Sequence, residues 1–199
     1  MSGKVLTAHA TSVDGYITGR DPGPGNGLGA GAMLFDWYFD GDTPSEVFEG
    51  FRLSEPSARL FDSFAGRIGA IVSGRRTYDD SNGFGGDGSP HPTAPLFVLS
   101  HRPPPPTATE RQTFVSSIEE AIDAARAVAG DMDVGLQGGG VATSALAAGL
   151  LDEFVIHQVP ILLGEGRPFF GELPANVKLT LVQAVPAPGV THLHYRVER

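Results

Sequence analysis

The run Val134 to Leu136 is apolar. It passes through Gln137 into three consecutive glycines, Gly138, Gly139 and Gly140, and then into small residues that begin with Val141 and Ala142. A short strand, bare glycines and a helix start limit what this stretch can fold into. Without Cβ atoms the backbone can approach a phosphate closely. The free N–H groups and the positive end of a helix dipole then favour an anion. The same glycines also suit a plain tight connection from strand to helix, and on this segment alone both readings stand. Two other segments shift the balance. Gly74-Arg75-Arg76-Thr77 and Ser100-His101-Arg102 also follow apolar, strand-like runs, and both carry basic or hydroxyl groups.

Composition narrows the function classes. The chain has 199 residues, which predicts a single domain over 1–199 able to bury a core. It has no cysteine, so disulfides, thiolate nucleophiles and thiolate metal sites are excluded. The net charge of −9 argues against general nucleic-acid or anionic-membrane binding, which requires a basic face. It also makes Arg75, Arg76 and Arg102 conspicuous among only 14 basic residues. No apolar run is long enough to span a membrane and no signal pattern opens the chain, so a cytoplasmic protein is expected.

Along the chain, strands are expected at 4–10, 68–73, 95–100, 132–136, 153–163, 177–185 and 190–197. Residues 186–189 should join the last two as an antiparallel hairpin. A helix is expected to start at Thr43-Pro44-Ser45-Glu46, with Thr43 as cap and Pro44 in the first turn, and helical spacing continues over 57–64. Ser116 and Glu119 have capping-box spacing ahead of a helix at 117–129. A further helix spans 141–148, with Gly149 at its C-cap. Residues 19–31 and 82–94 read as Gly/Pro-rich loops, and the first has the length of an active-site lid. The alternation predicts an α/β domain, with a mainly parallel sheet, helices on both faces and a C-terminal antiparallel hairpin.

Taken in order, these motifs resemble the dihydrofolate reductase-like superfamily, and most closely its branch containing the C-terminal reductase domain of bacterial riboflavin biosynthesis. The resemblance is carried by Ser12-Val13-Asp14-Gly15-Tyr16-Ile17, Ile71 to Tyr78, Phe97 to Pro103, Gln137 to Gly140, and Leu150 to Glu153 leading into Pro160 to Gly166. It implies NADPH as cofactor. Gly138, Gly139, Gly140, Val141 and Ala142 would cradle the pyrophosphate. Gly74, Arg75, Arg76 and Thr77 would reach phosphate oxygens, and Ser100, His101 and Arg102 would surround the 2′-phosphate. Replacing Gly139 by a bulky residue is then expected to abolish binding while leaving the protein folded. The resemblance further implies a reductase like that of 5-amino-6-(5-phosphoribosylamino)uracil, acting on a small heterocyclic or carbonyl-bearing molecule. It also implies a homodimer through the C-terminal strands. A protein of the same fold that binds the dinucleotide without turnover is the alternative. With no cysteine for zinc, the deaminase half of the bifunctional riboflavin enzyme is absent from this sequence.

The substrate side is less defined. Asp14 and Glu165 are the catalytic candidates. Asp14 either lines the site or caps the Asp14-Gly15 turn. Glu165 is an acid, an orienter or a turn residue, and Arg167 either binds a substrate phosphate or neutralises Glu165. Asp36-Trp37-Tyr38 does not reproduce the pterin-orienting carboxylate of true dihydrofolate reductases, and reads as a helical segment with Trp37 in the core. His157 alternates with Val155 and Val159 and reads as a core histidine. His192 and His194 share a face but lack a third ligand, so no metal is expected. The competing reading of Arg75 and Arg76 is a solvated turn paired with Asp79 and Asp80.

Overall fold

The computed structural model describes residues 3–198. In chain order it contains β1 (Val5–Ser12), a 3₁₀ segment (Gly29–Tyr38), β2 (Thr43–Pro44), β3 (Arg52–Leu53), α1 (Glu55–Ala65), β4 (Ile68–Gly74), α2 (Arg75–Asp80), a second 3₁₀ segment (Asn82–Asp87), β5 (Leu96–Leu99), β6 (Gln112–Val115), α3 (Ile118–Ala129), β7 (Asp133–Gln137), α4 (Gly139–Ala147), β8 (Glu153–Val159), β9 (Leu179–Ala187) and β10 (Val190–Val197). Eight strands form one sheet in the order β6-β5-β4-β7-β1-β8-β10-β9. The first six are mutually parallel, β10 runs antiparallel to β8, and β9 antiparallel to β10.

The parallel strands read as nearly continuous apolar runs because both sheet faces are covered. Val5, Val72, Val134 and Leu136 pack with α3 and α4 on one face. Leu6, Leu96 and Val98 pack with Leu60 and Phe64 of α1 and Tyr78 of α2 on the other. A third cluster on the α1 side gathers Ala10, Leu34, Trp37, Leu53 and Val159. Burying a side chain of this size contributes roughly 1.5–3 kcal/mol, so these layers dominate stability. Trp37 is a core residue, as its place in a helical segment predicts.

Three expectations change. No helix starts at Thr43: Thr43 and Pro44 form β2 and pair with Leu53 and Arg52. The same kind of signal recurs at Ser54-Glu55-Pro56, and there it starts α1. Asp62 claims Ser45 instead, accepting from its Oγ, and that hydroxyl accepts from the backbone N–H groups of Val47 and Phe48. The capping box lies one residue later than Ser116 and Glu119. Ser117 Oγ accepts from Glu120 N–H at 3.1 Å, and Glu120 Oε2 accepts from Ser116 N–H at 3.0 Å. The strand from 153 stops at Val159, before Pro160. The polar edge strand β6 and the short helix α2 gave no clear sequence period.

Candidate active site

The carboxyl ends of β4, β7 and β1 open onto a cleft of about 1110 Å³. Crevices outside the carboxyl ends of parallel strands are where ligands bind in open α/β sheets. At the centre, β7 delivers Gly138 into α4. Gly138 has φ +104°, a conformation L side chains rarely adopt, and a Cβ there would lie 2.3 Å from Thr77 Oγ1. Its N–H donates to His9 Nε2 at 3.0 Å. Ala142 N–H is the first in α4 to reach back to a backbone carbonyl, that of Gly138. The N–H groups of Gly139, Gly140 and Val141 therefore open the helix, and no side chain caps it.

The three glycines sit in different surroundings. A Cβ on Gly139 would lie 2.6 Å from Phe169 O and 2.7 Å from Pro168 O, so packing alone demands glycine there. This corrects the expectation that Gly139 can be replaced without disturbing the fold. A Cβ on Gly140 would meet nothing within 4 Å, although the residue lines the cleft. The fold leaves that space open.

Beside it, α2 begins at the end of β4. Arg75 Nε donates to Asp79 Oδ1 at 2.8 Å, and its Nη1 reaches Ser100 Oγ at 3.2 Å and Pro103 O at 3.0 Å. Arg102 Nη2 pairs with Asp79 Oδ2 at 2.6 Å. Burial pushes the Asp79 carboxyl up, and the two arginines more than offset this, leaving it below its ordinary value. Asp79 thus gathers Arg75 and Arg102 at one point, as the competing reading foresaw for Arg75. Arg76 is exposed at the cleft with no ion pair among the described residues, and Thr77 lines the cleft beside Gly138. Ser100, His101 and Arg102 sit just beyond Leu99, outside the cleft lining, with His101 and Arg102 exposed.

The two catalytic candidates do not reach the cleft. Asp14 caps a turn, accepting from Leu163 N–H at 3.1 Å and Gly164 N–H at 2.7 Å. The Ser12 hydroxyl first, and then those backbone groups, hold its carboxyl below the ordinary value, so it is an anion and no proton donor at neutral pH. Glu165 is exposed and pairs with Arg20 at 3.1 Å. Arg167 pairs with the buried Asp80 and not with Glu165, and its Nη2 reaches Pro22 O at 3.3 Å. The segment 19–31 folds back on itself: Gly19 N–H donates to Leu28 O, and Gly25 N–H to Asp80 O at 3.0 Å. The Asp80–Arg167 pair therefore clasps this loop to α2 and to residues 164–171.

Sequence reasoning passed over His9 and the role of Asp80. His9 is a lone histidine in an apolar strand, with no spacing to signal it. Burial lowers it to about 4, so it is neutral and accepts the Gly138 N–H through Nε2.

The β1–β8 end is aromatic. Phe35, Tyr38, Phe48, Phe51 and Phe61 line it. Phe51 lies 5.2 Å from Phe48 and 4.9 Å from Tyr38, ring centre to ring centre. Behind them Trp37 stacks on Tyr38 at 3.9 Å and touches His157 and His192. His157 Nδ1 and His192 Nδ1 lie 2.8 Å apart, and His192 Nε2 lies 2.9 Å from Ser57 Oγ. His194 Nε2 sits instead 3.2 Å from Glu153 Oε2. Among the described residues no group of three metal-ligating side chains is assembled. The signal for the aromatic end was available, since six aromatic residues fall within 35–51.

This architecture, a mainly parallel sheet carrying a glycine-opened helix over an elongated cleft, has the dihydrofolate reductase-like fold. Enterococcus faecalis dihydrofolate reductase, solved with NADP(H) and RAB-propyl, superposes with a TM-score of 0.62 at 18% identity, covering 100% of this chain and 99% of that one. A protein of Shewanella sp. PV-4 described as a riboflavin biosynthesis protein matches with a TM-score of 0.71 at 28% identity, over 98% and 99% of the two chains. Acinetobacter baumannii RibD matches at 0.59 and 15% identity over 100% of this chain, which spans 59% of that one. The sequence matches the RibD C-terminal domain over residues 3–193, and the chain belongs to that family. No curated protein matches it. No described helix is long and apolar enough to cross a membrane.

Proposed function

We propose that this protein is an NADPH-dependent reductase acting on a small heterocyclic or carbonyl-bearing substrate. One observation carries the reading: the uncapped start of α4, the open space over Gly140 and the unpaired Arg76 converge on one cleft. Family membership and a dihydrofolate reductase neighbour solved with NADP(H) support it.

The N–H groups of Gly139, Gly140 and Val141 would hold the pyrophosphate, with Arg76 as a mobile cation. Such charge-assisted bonds contribute about 1.5–3 kcal/mol each. Arg75 is already tied to Asp79 and Ser100, so it shapes the pocket more than it neutralises a ligand. Arg102 would take the 2′-phosphate, and to do so it must leave Asp79. When bound, NADPH would supply the substrate with a hydride (one proton and two electrons), and water would supply the remaining proton. The loop 19–31, clasped by Arg167 and Asp80, shields the cleft from solvent. His9 fixes Gly138 and thereby aims the α4 amides.

A second reading, dinucleotide binding without turnover, draws on the position of Asp14 and Glu165 outside the cleft. It predicts NADPH binding with no oxidation by any acceptor. The open edge of β9, with Leu179, Leu181 and Val182 exposed, is where a second copy would continue the sheet; light scattering tests for that dimer. Titration with NADPH and with NADH at two salt concentrations tests the central proposal. Tight, salt-sensitive NADPH binding is expected, and no binding of either removes the reductase assignment.

A further inference from the structure

We infer that the β1–β8 end of the cleft takes a flat, uncharged, unphosphorylated aromatic ring system, and under the reductase reading, on which this rests, that is the substrate. The phosphoribosylated uracil that the family resemblance implies does not suit this end.

Three observations converge. The first is shape and chemistry. Phe35, Tyr38, Phe48, Phe51 and Phe61 supply ring faces and edges, and Pro90 adds another apolar surface. Rings that meet at 4.9 to 5.9 Å, as Phe51 does with Tyr38, Phe48 and Phe61, offer a further ring the offset or edge-on contacts aromatic pairs prefer.

The second is where the cations are. The Arg and Lys residues lining the cleft are Arg75, Arg76 and Arg167. Arg75 and Arg76 open α2 at β4, three strand spacings (about 14 Å) from β8. Arg167 is neutralised by Asp80. His91 stands edge-on to Phe48 at 5.4 Å, but burial pushes it below its ordinary value against the pull of the Ala65 carbonyl, so it is neutral at pH 7. A phosphate here would lose hydration without gaining a charged partner.

The third is the charge around the wall. Residues 33–52 carry most of these aromatics together with five exposed carboxylates outside the cleft lining, Asp36, Asp40, Asp42, Glu46 and Glu49, against one cation, Arg52. The net negative charge of this segment disfavours a phosphate dianion, screened beyond a Debye length of about 10 Å.

The test is calorimetric titration with two probes that share a ring system, 2-naphthol and 2-naphthyl phosphate. Excess inorganic phosphate in the buffer saturates the cationic end. 2-Naphthol is expected to bind at least tenfold more tightly. Phe51→Ala should weaken it at least fivefold, and the more exposed Phe35→Ala should weaken it less. Phe48→Arg, which places a cation in the wall, should narrow or invert the preference. Equal or tighter binding of the phosphate by the unmodified protein overturns the inference, as does failure of both probes to bind. A separate NADPH titration keeps the two readings apart. NADPH binding with the wrong probe preference sinks only the substrate class, and the right preference without NADPH binding sinks only the reductase.

Discussion

At the β4–β7 end of the cleft the surface is mostly backbone: helix-opening N–H groups, a glycine with no contact over it, and Arg76, which has no ion pair among the described residues. At the β1–β8 end it is mostly side chain: five aromatic residues drawn from the 3₁₀ segment, the stretch before α1, and α1 itself. The backbone end suits a ligand defined by its phosphates. The aromatic end can change its specificity by single substitutions. Under the proposed reading, one fold would keep a common dinucleotide site while the substrate varies. The two ends do share one device, because each rests on a buried neutral histidine, His9 under Gly138 and His157 with His192 under Trp37.

The largest expected effect comes from filling the open glycine. Gly140→Leu should weaken dinucleotide binding at least a hundredfold with the melting temperature nearly unchanged, as fluorescence titration and calorimetry would show. Gly139→Ala should instead cost about 1–3 kcal/mol of stability, because its Cβ meets the carbonyls of Pro168 and Phe169. If the two variants behave alike, the distinction between cradle and packing fails.

Acid should undermine both ends. Burial holds His9 at about 4, and His192 is also at about 4, while burial, followed by its neighbours His192 and His9, pushes His157 well below its ordinary value. Below about 6.5 the unfolded chain takes up protons that folded His9 and His192 refuse until about 4, and that His157 also refuses. Stability is therefore full above 6.5 and falls as pH drops through that window, by about 3 kcal/mol for His9 alone. Urea unfolding at pH 7, 5.5 and 4 checks this, and a flat profile would contradict the buried neutral imidazoles. Glu153 acts in a lower window. Burial pushes it up, but His194, Lys4 and Arg67 bring it to about 2, so its contribution is lost only as pH falls from about 4.5 toward 2.

Asp79→Asn releases Arg75 and Arg102, and should raise the preference for NADPH over NADH about tenfold; this is read from the ratio of the two dissociation constants. An unchanged ratio would mean that Arg102 does not meet the 2′-phosphate. The smallest effect is expected from Trp37→Phe. Among the described residues the buried Trp37 Nε1 has no hydrogen-bond partner, so losing it offsets part of the lost packing, and the change in unfolding free energy should stay within about 1–2 kcal/mol.

Much of this was legible in the chain. The β7–glycine–α4 turn, the hairpin of β9 and β10, and the core positions of Trp37 and His157 follow from local period and turn chemistry. The start signal at Thr43 misled because a cap is decided by which helix follows. Ser54 has the amphipathic run Glu55–Ala65 behind it, whereas Thr43 and Pro44 are drawn into pairing with Leu53 and Arg52. Asp14 and Glu165 lie in motifs that suggest chemistry, yet their partners, the Gly164 N–H and Arg20, are set by how distant loops meet.

The sequence by itself determined most of the parallel strands, the helices α3 and α4, the glycine-opened turn and the family: the elements depend on residues within a few positions of one another, and the family on the order of motifs along the chain. Tertiary structure alone decided that Arg167 is spent on Asp80, that Arg102 is shared with Asp79, that Gly139 is packed while Gly140 is open, and that aromatics from residue 35 to residue 61 form one wall. Those outcomes depend on contacts across tens of residues, up to 87 for Arg167 and Asp80. They exist only once the sheet order has brought the segments together, and a linear pattern carries no record of them.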